Sequence, residues 1–220
     1  MKDNTRKQDF LDAALELFYE KGYDKASVND IIARLDASKG GFYHYFKSKE
    51  DVLEAVALQY VEVEVIFTRE ISGRNDLNAI EKMNEIIRGI LIQRLSNLFE
   101  REKISRIFAH EGNIRLLRKI AENKMRMIFV PYLSIIKQGI QEGVYDTPYP
   151  EETAEQIIQM LISLNSMIAK LAAAIEEKPD NTQTILHKLK AYQVLIERLL
   201  GTKHGTIEFD ETVGNFIRSY

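Results

Sequence analysis

The chain has 220 residues, 45% of them hydrophobic, and 30 Lys and Arg against 33 Asp and Glu give a formal net charge of −3. So large an apolar share supports a sizeable core and excludes a disordered chain. The absence of cysteine excludes disulfides, thiolate metal sites and cysteine nucleophiles together.

Proline occurs only at 131, 148, 150 and 179, and no sustained alternation of period two is present, so an all-α fold is expected. Phe10, Leu11, Ala14, Leu15 and Phe18 repeat at three and four along one face of a first helix. Lys21-Gly22 supplies its basic last turn and glycine stop. Ser27 with Asp30 three residues later resembles a capping box, and Val28, Ile31, Ile32 and Leu35 form the buried face behind it. Asp36-Ala37 is a turn, and Ser38 caps a short third helix. Ser48 caps a long fourth one through Val52, Leu53, Val56 and Tyr60 toward Phe67.

Beyond a break at Ser72 to Asp76, helices are expected near 77–99, 102–110, 113–142, 150–177 and 181–200. Pro131 should kink or locally rewind the helix that contains it. After Gly201 comes a polar linker, and IEFDETVGNFIRSY suggests a short docked segment. The N-terminus MKDNTRKQDF lacks an apolar signal core, and no apolar run approaches the roughly 18 residues of a membrane span. A cytoplasmic protein with no membrane partner is therefore expected.

The informative segment is SVNDIIARLDASKGGFYHYFKSK, residues 27–49. A capped helix, a tight turn and a second short helix over about residues 27–46 form a unit that can lay its second helix in the DNA major groove. Total charge does not support this, because residues 1–50 carry nine basic and nine acidic side chains. The positive charge is local, at Lys39, Lys47 and Lys49, with no acidic residue between Asp36 and Glu50. Phe42 and Phe46 share one face and should anchor the third helix, which leaves Tyr43 and His44 to point outward. Gly40 and Gly41 each weaken a helix by about 0.8–1 kcal/mol relative to Ala, and their compensating use is close backbone approach to DNA. The candidate DNA-binding residues are Ser27, Ser38, Lys39, Gly40, Gly41, Tyr43, His44, Lys47 and Lys49.

Residues 6–60, with the text AALELFYEKGYDKASVNDIIARLDASKGGFYHYFKSKEDVLEAV, resemble the DNA-binding domain of the tetracycline-repressor (TetR/AcrR-like) family of bacterial transcription regulators. Two positions depart from the family pattern. Leu35-Asp36-Ala37 stands where Ala-Gly-Val is usual, and Tyr45 where His is common. The resemblance implies a helix–turn–helix domain over residues 1–50 and a larger helical effector-binding and dimerisation domain over 51–220. It also implies a ligand-responsive regulator, a repressor that binds a palindromic double-stranded operator as a homodimer and is released by a small molecule.

The seam of such dimers is usually a four-helix bundle built from the last two long helices of each chain. Here Ile157, Leu161, Leu164, Ile168, Leu171, Leu189, Tyr192, Ile196 and Leu199 would supply it. A substantially apolar effector would meet Phe67, Phe99, Phe108, Met125, Phe129, Tyr132, Met160 and Asn165, and would act by moving the helix expected over 48–69. No cofactor, metal or catalytic residue is expected. None of His44, His110, His187 or His204 has Glu three residues before it, and no His-Glu-x-x-His, Gly-x-Ser-x-Gly or P-loop pattern occurs.

Overall fold

The computed structural model describes residues 2–100, 110–172, 174–175 and 177–209, without the side chains of 2–4, 93–100, 169 and 172. Among the described residues the chain forms eight α-helices and no strand. They are α1 (Lys2–Lys25), α2 (Val28–Arg34), α3 (Lys39–Tyr45), α4 (Lys49–Ser72), α5 (Ala79–Glu100), α6 (Ile114–Gln141), α7 (Pro150–Ala172) and α8 (Asn181–Leu200). A 3-10 turn, Glu111–Asn113, precedes α6. The helix expected near 102–110 and residues 210–220 lie outside the described residues. The chain divides into two units, Met1–Val63 with Arg106–Asn123 and Glu64–Ser105 with Lys124–Tyr220, so α4 and α6 contribute residues to both.

In the first unit, the stop expected at Gly22 is a break with φ 79° inside α1. Asn113 fastens it: its side-chain oxygen accepts from Tyr23 N at 2.7 Å and its amide donates to Phe18 O at 3.0 Å, both buried. These bonds satisfy backbone groups that the helix end would leave orphaned. The capping box at Ser27 forms as expected, with Asp30 N donating to Ser27 Oγ and Ser27 N donating to Asp30 Oδ2.

At the other end of α2, Asp36 N donates to Ala33 O and Ala37 N to Ile32 O, the paired bonds of a Schellman closure. The residue between them must be left-handed, and Asp36 sits there with φ 47°. Ser38 caps α3 by accepting from Gly41 N at 3.0 Å. Ser48 caps α4 by accepting from Asp51 N at 3.1 Å. The unit's core is Phe10, Phe18, Tyr23, Ile31, Phe42, Phe46 and Val52.

In the second unit, Asn78 and Glu81 make a reciprocal cap at the start of α5. Gly139 leaves room for the Tyr145 ring, whose hydroxyl donates to Ala79 O. α6 continues through Pro131, where Ser134 Oγ donates to Pro131 O at 2.7 Å. α7 ends at Ala172, five residues before the expected position, and Asn181 Nδ2 donates to Leu171 O there. Past α8, Glu197 accepts from Gly205 N and Ile207 N, and Asn84 brackets Thr206 O and Glu208 N. The segment 202–209 is thus docked, with Ile207 fully buried.

Of the residues expected at a dimer seam, Ile157, Leu161, Leu164, Ile168, Leu189 and Ile196 are buried within the chain. Leu171, Tyr192 and Leu199 stay half-exposed, and Leu195, not singled out by the sequence, is 46% exposed on α8.

Two outcomes are expected. Asp36→Val should destabilise the chain by about 1–2 kcal/mol in urea unfolding, because a β-branched residue fits the left-handed conformation worst. Asp36→Gly should cost far less, because only the loss of chain entropy opposes the relief of strain. Bonds from Lys21 and Ser27 hold the Asp30 carboxyl near about 2, below its ordinary 3.8. A depressed carboxylate contributes its stability above its unfolded value and loses it as pH falls through the folded one. The difference in urea midpoint between wild type and Asp30→Asn should therefore shrink from about pH 4 to about pH 2.

Candidate nucleic-acid interface and buried cavity

The core of the first unit decides what α3 presents. Phe10 meets Phe42 edge-on at 5.6 Å and Phe46 at 6.4 Å, and Phe42 lies 5.7 Å from Phe46. With Phe42 and Phe46 turned inward, helical spacing turns Gly40 and His44 outward and Tyr43 to the side, Lys39 is exposed as the first residue of the helix, and all four are exposed. Tyr43 is 56% exposed, and its ring stands edge-on to Phe42 at 5.4 Å. An aromatic held this way is oriented without being covered. Lys47 follows, also exposed.

The two glycines have no internal reason to be glycine at Gly40 and only a mild one at Gly41. A Cβ on Gly40 would meet only Ser38 Oγ, at 4.0 Å, and one on Gly41 would meet the same atom at 3.3 Å. Neither has positive φ. The helix thus bears a weakening that the protein's own packing does not require at Gly40.

Two of the expected contact residues are engaged within the unit. Lys49 Nζ donates to Asp24 O at 3.3 Å and stands 4.0 Å from the centroid of the Tyr23 ring, and burial lowers its pKa. It holds the start of α4 against the end of α1, which leaves Lys39 and Lys47 as the exposed cations flanking α3. Ser27 is exposed, but its hydroxyl donates to Asp30 Oδ2 at 2.6 Å and serves the cap. Sequence reasoning also missed Asn113 and the Arg34 side chain. Arg34 bridges Glu16 and Glu20, fixing the exposed end of α2 to α1.

The second unit contains a cavity of about 10 Å³, lined by Glu64, Ile87, Ile90, Leu91, Lys124, Leu161 and Asn165. Lys124 Nζ and Glu64 Oε1 form an ion pair at 2.5 Å with both side chains almost fully buried. Thr68, one turn beyond Glu64, and Tyr132, two turns beyond Lys124, are fully buried, and their hydroxyls have no hydrogen-bond partner among the described residues. Burial, and then the Glu64 charge, raise the Tyr132 phenol far above its ordinary value.

Of the residues expected to meet an effector, Asn165 lines this cavity and Tyr132 is buried near Glu64. Phe67 packs over Gly89 instead, where a Cβ would fall 2.5 Å from its ring. Met125, Phe129 and Met160 are half-buried and off the cavity wall. The Phe99 side chain and Phe108 lie outside the described residues. Glu64 and Lys124 were missed, although a signal existed. Val61, Glu64, Val65 and Thr68 share one helical stripe, as do Ile120, Asn123, Lys124 and Ile128, so each charge sits where an apolar residue belongs. Among the described residues, no helix is long and apolar enough to cross a membrane.

Residues 10–56 match the model for bacterial regulatory proteins of the tetR family. The chain is 31% identical over 137 residues to the HTH-type transcriptional regulator YvdT of Bacillus subtilis, covering 61% of this chain and 64% of that protein. It is 30% identical over 142 residues to the transposon Tn10 TetC protein of Escherichia coli, covering 62% and 66% respectively. The match thus spans a little under two thirds of each relative's own length. A regulatory protein of the tetR family from Rhodococcus RHA1 shares the fold, with a TM-score of 0.60 at 20% identity over 90% of this chain and 98% of that one. The helix–turn–helix geometry and these matches agree: residues 10–56 form a domain of the type found in bacterial regulatory proteins of the tetR family.

Proposed function

We propose that the protein is a transcriptional regulator that binds a palindromic DNA operator as a homodimer and is released by a small-molecule effector. The observation that carries this reading is α3. It exposes Lys39, Gly40, Tyr43 and His44 on a helix anchored by Phe42 and Phe46, and packing does not call for its exposed glycine. Lys39 and Lys47 neutralise phosphates, and Tyr43 and His44 face base edges. In a two-fold dimer the half-sites lie roughly 34–36 Å apart, or a multiple of that.

The seam is best placed on the exposed outer faces of α7 and α8, with Leu195, Tyr192, Leu171 and Leu199 meeting their copies. Release follows if an effector prefers the arrangement that fails to fit DNA, and a coupling of about 1–3 kcal/mol changes operator affinity 5–150-fold. α4, which belongs to both units, carries Glu64 at the cavity and is the natural element to move.

The test is anisotropy of labelled DNA from upstream of the chain's own gene, measured across salt. Specific binding should weaken steeply, with a slope of about −0.9 per phosphate neutralised, and Lys39→Ala should reduce that slope by about one. Absence of sequence-specific binding at low salt would contradict the reading. Gly40→Ala should move stability and affinity in opposite directions. It should raise unfolding stability by about 0.8–1 kcal/mol while weakening operator binding, because the added methyl meets DNA and nothing else. Leu195→Arg should shift sedimentation from dimer to monomer, whereas an unchanged dimer would remove α8 from the seam.

A further inference from the structure

The rings of Tyr43 and His44 are exposed on α3, and each stands edge-on to an aromatic neighbour. Tyr43 meets Phe42 with centroids 5.4 Å apart and planes at 90°. His44 meets Tyr45 at 4.7 Å and 82°. Tyr45, the last residue of α3, is half-buried and leans on Phe10 at 5.9 Å. Phe10 is itself fully buried against Phe42 and Phe46. A row of contacts thus runs from the core through Tyr45 to His44, the side chain that helical spacing turns opposite to Phe42 and Phe46.

Base recognition makes such a hold useful. An imidazole offers hydrogen-bonding nitrogens on its ring edge, and the major groove presents a distinct pattern of donors and acceptors for each base pair. Those bonds are directional, so the base pair that His44 reads depends on the direction of its ring. A ring that turned freely would lose its freedom on binding, whereas a ring held beforehand has less to lose. On the reading that the protein binds an operator, we propose that Tyr45 is a positioning residue for operator specificity. Its ring fixes the direction of the His44 imidazole, and with it the base pair that His44 accepts. The role needs no contact between Tyr45 and DNA. Phe42 holds Tyr43 in the same manner, but Phe42 is fully buried, so its loss would disturb the whole unit. Tyr45 is half-buried, so its ring can be replaced while Phe10, Phe42 and Phe46 stay packed.

The experiment uses the full chain and labelled double-stranded DNA from upstream of its own gene, with each base pair of the bound half-site replaced singly, read by anisotropy. His44→Ala marks the base pairs that His44 discriminates. Tyr45→Leu should lower discrimination at those same pairs by about two- to twelvefold, the factor by which an edge-on aromatic pair favours its arrangement. Tyr45→Phe keeps the ring and should keep the wild-type discrimination. In the His44→Ala background, Tyr45→Leu should change discrimination no further. The slope of affinity with salt should be the same in wild type and both Tyr45 variants, because no phosphate contact is removed. In the free protein, the ring-proton resonances of His44 should move in Tyr45→Leu, which lacks the neighbouring ring current, and stay near wild type in Tyr45→Phe. Circular dichroism and the urea midpoint report folding; should Tyr45→Leu unfold, Tyr45→Met fills the same space with a longer apolar chain and takes its place.

A folded variant without the Tyr45 ring that weakens binding to every duplex alike overturns the proposal. So does a Tyr45→Phe chain that behaves like Tyr45→Leu, a His44→Ala chain with unchanged discrimination, or losses that add in the double variant. Operator binding is read separately: wild type that binds no duplex specifically contradicts the regulator reading, and the free-protein resonances still decide whether Tyr45 holds His44.

Discussion

The face that α3 offers to solvent depends on the interlock of Phe10 with Phe42 and Phe46. Phe42 and Phe46 are four residues apart, so one helical face is committed to the core. Edge-to-face contacts at 5.6 and 6.4 Å hold that commitment in one orientation. The outward direction of Gly40 and His44 is the geometric complement of this burial, with Tyr43 at its edge and Lys39 exposed at the helix start. A seven-residue helix has little stability of its own. Caps from Ser38 and Ser48, the Schellman closure at Asp36 and the aromatic anchor together replace what length would otherwise supply.

The second unit uses a different principle. Its apolar core includes a charged pair that hydrophobic residues of similar size could have replaced without loss of stability. Removing one partner alone would cost about 3–5 kcal/mol, so the two charges hold each other in place. Beside them, the buried hydroxyls of Thr68 and Tyr132 lack hydrogen-bond partners among the described residues. Stability alone does not account for such a cluster.

Much of this was legible in the sequence, and the reasons are local. Ser27, Asp30, Asp36, Ser38 and Ser48 announce caps and a turn through side-chain chemistry that acts over three or four residues, and the structure places each as expected. Periodicity located α5, α6 and α8 to within two residues and α4 to within three. What escaped was set by tertiary contact. Asn113 reaches 90 residues back to Tyr23. Lys49, expected to contact phosphate, has the Tyr23 ring and Asp24 O around its ammonium. On α7 and α8 the periodic apolar line was real but faced inward, because periodicity identifies a buried face without saying what buries it. Glu64 and Lys124 broke two apolar stripes, and such breaks become meaningful once the two are seen to meet.

The central claim is that α3, positioned by its aromatic anchor, is the surface that reads DNA. Amide hydrogen exchange of the full chain, with and without double-stranded DNA from its own upstream region, tests that claim most directly. The account predicts that exchange slows on DNA addition within residues 27–49, most of all at Lys39, Gly40 and Gly41, where a backbone pressed against the groove loses access to water. Slowing confined to residues outside that segment, or no slowing under conditions where the DNA is bound, would contradict it.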